Sequence, residues 1–204
     1  MSVRTSLMVA AVLLLGTGFA AEPTLSQPRS TFPGRRVGGS TRGECAAREI
    51  IHLVPETSVF APGAAGLIAW LEGPSPDAKP LEVVLREQNA SVPVLSRSVA
   101  ASGPRLVLLR LPQMLTLPLV WESGYQCAEA PAGDEFGFIG DEGPPAKSLL
   151  VLDSEPADAA VQTHLKALLT RCDSTTPVAS VSSLFDLEHA VSSRWPEVVP
   201  VVCL

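Results

Sequence analysis

Short apolar runs separated by Gly and Pro clusters organise most of this chain. Runs at 49–54, 65–72, 80–87, 92–99, 105–111, 117–126, 135–139 and 148–152 are strand candidates, because each is bounded by residues that break regular backbone. In the third run Leu81, Val83 and Leu85 alternate with Glu82 and Arg86, the two-residue period of a half-buried strand. Leu106-Val107-Leu108-Leu109 is apolar on both faces, as a central strand covered twice requires. Residues 73–79 read Gly-Pro-Ser-Pro-Asp-Ala-Lys and predict a turn, since Pro fixes φ and Asp bonds its own backbone. Many short strands with no strand–helix alternation predict a mainly β domain, a β-sandwich of immunoglobulin-like or related type.

The pattern changes after Asp153. Over 156–171 the apolar side, Ala160, Val161, His164, Leu165, Leu168 and Leu169, gathers on one face of a helix. Asp153 or Ser154 can cap its start, Pro156 suits an early position, Asp158 lies near the positive end and Arg171 near the negative one. A second helix is expected over 182–194, with Leu184, Leu187, Val191 and Trp195 at helical spacing and Pro196 as its stop. Residues 198–204 read as a short terminal strand held by Cys203. The expected layout is thus a β-sandwich domain at 35–153 and a helical C-terminal extension at 154–204 packed on it.

The N-terminus is of another kind. Arg4 precedes an apolar run from Leu7 to Leu15, followed by small residues ending in Gly18-Phe19-Ala20, the three-part layout of a secretory signal peptide. Cleavage after Ala20 leaves Gly at −3 and Ala at −1, so 1–20 is read as the leader and Ala21 as the mature start. The apolar run is too short to cross a bilayer, and no later stretch approaches that length. Residues 21–34 are Pro, Ser and Thr-rich without apolar periodicity and read as a flexible lead-in. The expected address is therefore outside the cytoplasm, periplasmic or extracellular, with no integral membrane segment after cleavage.

Composition narrows the partners. The formal net charge is −6, and loss of Arg4 with the leader makes the mature chain more acidic still. Such a chain has no whole-molecule attraction for nucleic acid or anionic lipid. Four cysteines, Cys45, Cys127, Cys172 and Cys203, are an even set, which in an exported chain predicts two disulfides. Three connectivities are open. Pairing Cys45 with Cys127 and Cys172 with Cys203 keeps each bridge within its own region and is favoured. No C-x-x-C or C-x-x-H spacing exists, so redox and zinc-ribbon readings lack their basic element.

The segment Arg35-Arg36-Val37-Gly38-Gly39-Ser40-Thr41-Arg42-Gly43-Glu44-Cys45, followed by His52-Leu53-Val54-Pro55, resembles the opening of a bacterial, largely cyanobacterial, family of exported proteins catalogued as domain of unknown function 928. Further landmarks of the likeness are Gly73-Pro74, the run 81–87, Leu111-Pro112 and Trp121 to Cys127; the whole spans roughly residues 35–142. The resemblance implies an exported β-rich domain with Cys45 and Cys127 as a framework pair. It implies no activity.

The Arg and Gly run is also the most distinctive local feature in its own right. Arg36, Gly38, Gly39, Thr41 and Arg42 are candidate ligand-binding residues, because successive glycines can turn N–H groups toward one point and the guanidiniums add positive charge for an anion. The plainer reading is a tight turn of glycines at positive φ. His52, His164 and His189 are the only histidines; none has a second metal ligand at useful spacing, and a satisfied, partly buried imidazole is expected of each. No G-x-S-x-G or S-x-x-K motif occurs. The carboxylates Asp134, Glu135, Asp141 and Glu142 lack calcium-loop spacing, and Asn89-Ala90-Ser91 fits a glycosylation acceptor that matters only in a eukaryotic host. The expectation is therefore an exported, non-enzymatic interaction or structural domain with no cofactor or metal, its partner a protein or an envelope component. A periplasmic or extracellular hydrolase, or an anion binder using the Arg and Gly loop, is the alternative.

Overall fold

The computed structural model describes residues 29–39, 48–125 and 144–204. Its strands are β1 (Val37–Gly38), β2 (Ile50–His52), β3 (Val59–Phe60), β4 (Leu67–Glu72), β5 (Leu81–Glu87), β6 (Leu95–Val99), β7 (Arg105–Arg110), β8 (Leu119–Tyr125), β9 (Ala146–Leu150), β10 (Thr175–Pro177) and β11 (Val198–Cys203), with helices α1 (Pro156–Leu169) and α2 (Val178–Leu184). One sheet runs β1-β2-β4-β7-β11-β10 and the other β3-β9-β8-β5-β6. The chain is mainly β, as its patterning predicts. Pairing is antiparallel except for β11 with β7 and β3 with β9, which are parallel.

Side-chain period decides which face of each sheet is covered. In β5, Leu81, Val83 and Leu85 are buried while Glu82, Val84 and Arg86 are half-exposed, so the alternation reads out one inner face. In the first sheet, register places His52 beside Trp70 and Trp70 beside Val107, and this row meets Trp121 of β8 across the core. The opposite row, Ile51, Leu71, Leu106 and Val201, is also buried. Helix α1 lies against β4, on the side that the second sheet does not occupy. Apolar side chains of both sheets and both helices therefore form one continuous core, and β7 is covered twice as its sequence demands.

Helix α1 forms where expected, but its buried face is Val161, Leu165 and Leu168 with Asp158, while Ala160 is exposed. Its cap is Glu155 rather than Asp153 or Ser154: the Glu155 N–H donates to Asp158 Oδ2 at 2.8 Å, the reciprocal half of a capping box. The second helix is displaced. It covers Val178–Leu184, burying Val178, Val181 and Ser182, and stops where Asp186 takes φ +51°. Leu184 is 47% exposed while Phe185 and Leu187 are buried, so the spacing of Leu184, Leu187, Val191 and Trp195 mimics a helical stripe that the chain does not form. Trp195 instead donates its indole N–H to Glu49 Oε2 at 2.7 Å.

Residues 29–34, ahead of the boundary expected near Arg35, also pack on the fold. Phe32 is buried with Val59, Val120 and Leu149. Arg29 pairs with Glu155 at 2.9 Å and with the fully buried Asp158 at 2.8 Å. The strands β1, β3 and β10 are two or three residues long, too short to show a period. The expected strand at 135–139 lies outside the described residues, as do Cys45 and Cys127. The Cys172–Cys203 bridge is present; it ties the end of α1 to β11, which pairs with β7 at the centre of its sheet.

Candidate functional site

The Arg and Gly run takes its shape from close backbone approach. A Cβ on Gly38 would stand 2.1 Å from the Ala146 nitrogen, and one on Gly39, at φ +95°, 2.1 Å from the Arg48 carbonyl oxygen. Both positions therefore require glycine. The Gly39 N–H donates to the Pro144 carbonyl at 3.0 Å, so it is engaged inside the fold. Arg36 is buried and forks onto two carbonyls beyond α2, donating to Phe185 O and Asp186 O, each at 2.8 Å. Burial lowers its pKa from the usual arginine value, while Glu56 and Asp186 oppose that shift; the group stays a cation. Gly38, Gly39 and Arg36 thus join β1 to β9 and to the end of α2. Thr41 and Arg42 lie outside the described residues.

His52 is the one histidine in the deep core. Its ring stacks on Trp121 with centroids 3.5 Å apart, its Nδ1 lies 2.8 Å from Ser148 Oγ and its Nε2 2.9 Å from Ser123 Oγ. Ser123 Oγ already accepts the Trp121 indole N–H at 2.9 Å. Either tautomer of His52 finds one hydroxyl to accept its ring N–H and the other to donate to its bare nitrogen. Burial holds the imidazole well below the usual histidine pKa, so it is neutral. A base between two hydroxyls resembles catalytic machinery in its residue types, but all three side chains are fully buried. His164 makes an edge contact with Phe185, and His189 is exposed. Among the described residues no group of three His, Cys, Asp or Glu side chains gathers as a metal set.

A second polar centre is buried at the edge of the core. Glu72 accepts from Arg105 Nε at 3.0 Å and from the Trp70 indole at 3.1 Å, and pairs with an Arg48 guanidinium nitrogen at 3.1 Å. Arg48 also donates to Gly73 O at 2.7 Å and to Gly103 O, and Arg105 to Ala100 O at 2.7 Å. The Arg48 guanidinium lies 5.7 Å from the centre of the Tyr125 ring, and burial pushes the Tyr125 hydroxyl pKa upward. The carbonyls satisfy donors that one carboxylate cannot, so two guanidiniums are held around it in the interior.

A concave surface formed by described residues lies elsewhere, at one end of the two-sheet layer. A cleft of about 180 Å³ opens between Leu85 of β5, Leu95 of β6, Leu111 after β7 and Leu119 of β8, with loop 112–118 folded beside it. Leu115 and Leu117 of that loop pack on the core, whereas Met114 and Val94 are 67% and 51% exposed at the rim. Glu87 is the only ionisable side chain in the lining. The strand candidates at 80–87, 92–99, 105–111 and 117–126 place these leucines in strands and assign no site to the segment between 111 and 117. The available signal was Leu115 and Leu117 inside a segment bracketed by Pro112 and Pro118, too apolar for a plain surface turn.

Fold and surface together define a mainly β, two-sheet domain with one sheet face covered by helices and an apolar mouth at one end. No family model matches the chain, and neither a curated protein nor a solved structure matches it.

Proposed function

We propose that the chain is an exported interaction domain that works by binding rather than by catalysis. The observation that carries the reading is the apolar mouth beside loop 112–118: exposed Met114 and Val94 ring a cleft lined by leucines, and apolar surface kept open beside a core marks a contact site. Two further features agree with it. The Ser and His cluster is sealed away from solvent, so substrate has no access to the one described base between hydroxyls. The Cys172–Cys203 bridge suits an oxidising compartment, and no helix among the described residues is long and apolar enough to cross a membrane.

The test expresses the full chain in a bacterial host, fractionates the cells and weighs the purified protein intact. The expected product begins at Ala21 and is recovered from periplasm or medium. A cytoplasmic product retaining residues 1–20 overturns export, and steady turnover of ester, amide or glycoside probes overturns binding without catalysis.

A further inference from the structure

The mouth has a definite capacity. A cavity of about 150 Å³ lined by aliphatic side chains accepts one benzene-sized guest, whereas drug-sized ligands take roughly 300–1,000 Å³. At about 180 Å³, this cleft fits a single leucine- or phenylalanine-sized group. Such a group arrives most simply as a side chain anchored on a longer chain.

The neighbouring strand supplies a place for that chain. Among the described residues β6 ends its sheet and pairs only with β5, so its outer edge carries backbone donors and acceptors that an extended segment can meet. The same strand disfavours a second copy of this protein. Arg97, in the middle of β6, is opposite the fully buried Val83 and so lies on the inner face, yet it is exposed. Antiparallel pairing of β6 with its own copy over all five residues sets Arg97 directly against Arg97, and like charges directly opposite repel. Charge at the mouth has the other sign: Glu87 is the one ionisable group lining it, in a chain that is acidic overall. The favoured occupant is basic next to its apolar anchor.

Building on the interaction reading above, we propose that the mouth between Leu85, Leu95, Leu111 and Leu119 captures an apolar anchor side chain from an extended segment of a partner protein, with a flanking lysine or arginine of that segment facing Glu87 and its backbone laid along β6. Met114 and Val94, exposed at the rim, close over the anchor.

The test titrates the ¹⁵N-labelled mature protein with three synthetic heptapeptides: one with Phe at its centre and Lys two residues to either side, one with Glu in place of both Lys, and one with Ala in place of Phe. The first is expected to shift amides of residues 85–95 and 111–119 saturably, with both others weaker by roughly tenfold or more. Glu87→Lys, an exposed substitution, is expected to reverse the preference between the charged peptides, and Thr116→Trp, also exposed, to fill the mouth and abolish all three. Equal response to both charged peptides, or no saturable shift at millimolar peptide, overturns the inference. Concentration-dependent dimerisation that broadens the same amides assigns the mouth to a second copy and overturns it too, while leaving an interaction domain. Cleavage of the peptides sinks the parent reading instead.

Discussion

The imidazole of His52 lies flat on the indole of Trp121, with ring centroids 3.5 Å apart and planes inclined by 8°. This stack joins β2 of one sheet to β8 of the other, and the hydroxyls of Ser148 and Ser123 occupy both ring nitrogens. A polar side chain thereby sits in the core without an unmet donor or acceptor, the condition under which a buried polar group is tolerated.

Protonating that ring would make both nitrogens donors and place a charge in buried surroundings that disfavour it. The folded-state pKa is depressed below the unfolded value of about 6.5. The unfolded chain therefore binds the extra proton first, and stability falls as pH drops below that value. Between pH 7.5 and 5.5 the expected loss is about 1.4 kcal/mol. Urea denaturation across this interval checks it. His52→Gln should remove the loss and itself cost about 2–4 kcal/mol. A flat wild-type profile contradicts a neutral His52.

The Glu72 centre answers to a different test. Glu72→Ala leaves Arg48 and Arg105 buried without their carboxylate, and breaking a buried pair from one side costs about 3–5 kcal/mol. Because the three side chains are almost wholly buried, added salt screens them little. The loss measured by denaturation at low and high NaCl should therefore agree within error. A cost below about 1 kcal/mol, typical of surface pairs, would show the centre to be solvated.

These two centres mark the limit of what patterning reveals. The alternation of Leu81, Val83 and Leu85, the doubly apolar β7 and the stripe of α1 are local periods, and each appears in its predicted place. The Cys172–Cys203 pairing was legible for a related reason, since the two cysteines bracket a short C-terminal stretch. The partners of Glu72 come from residues 24 and 33 positions away, and those of His52 from 71 and 96; no local signal joins them. The displaced second helix shows the converse. A local period there was outweighed by burial of Phe185 and Leu187 and by the Arg36 fork, which reaches the two residues after the helix from just before β1, some 150 residues earlier. The mouth depends on which leucines the two sheets leave uncovered, a property of their stacking.

The C-terminal bridge should govern stability through the unfolded chain. Cys172 and Cys203 are 31 residues apart, and closing a loop of that size is worth about 3–4 kcal/mol in the chain-entropy account. Cys172→Ser with Cys203→Ser should lower stability by that amount and raise amide exchange in β11 first, since β11 then depends on its pairing with β7 and β10. Non-reducing mass mapping of the wild type should recover the linked 172–203 peptides. The same map decides Cys45 with Cys127, where free thiols would overturn the framework expected from the family resemblance.

Gly38 and Gly39 separate the structural account of the Arg and Gly run from the anion-binding one. An alanine at either position brings its Cβ to 2.1 Å from a backbone atom of a neighbouring segment, and at Gly39 the positive φ adds strain. Backbone on both sides leaves no flexible group to yield, so each substitution should cost about 2–4 kcal/mol in urea. Gly103, whose added Cβ meets nothing within 4 Å, should accept alanine with a change within about 0.5 kcal/mol. Phosphate is the discriminating addition. If the run is a joint between β1 and β9, millimolar phosphate leaves wild-type stability where it was, because the Gly39 N–H and the Arg36 guanidinium are already engaged. If phosphate instead stabilises the wild type but not Arg36→Met, an anion competes with the carbonyls of Phe185 and Asp186 for that guanidinium, and the run is a ligand site.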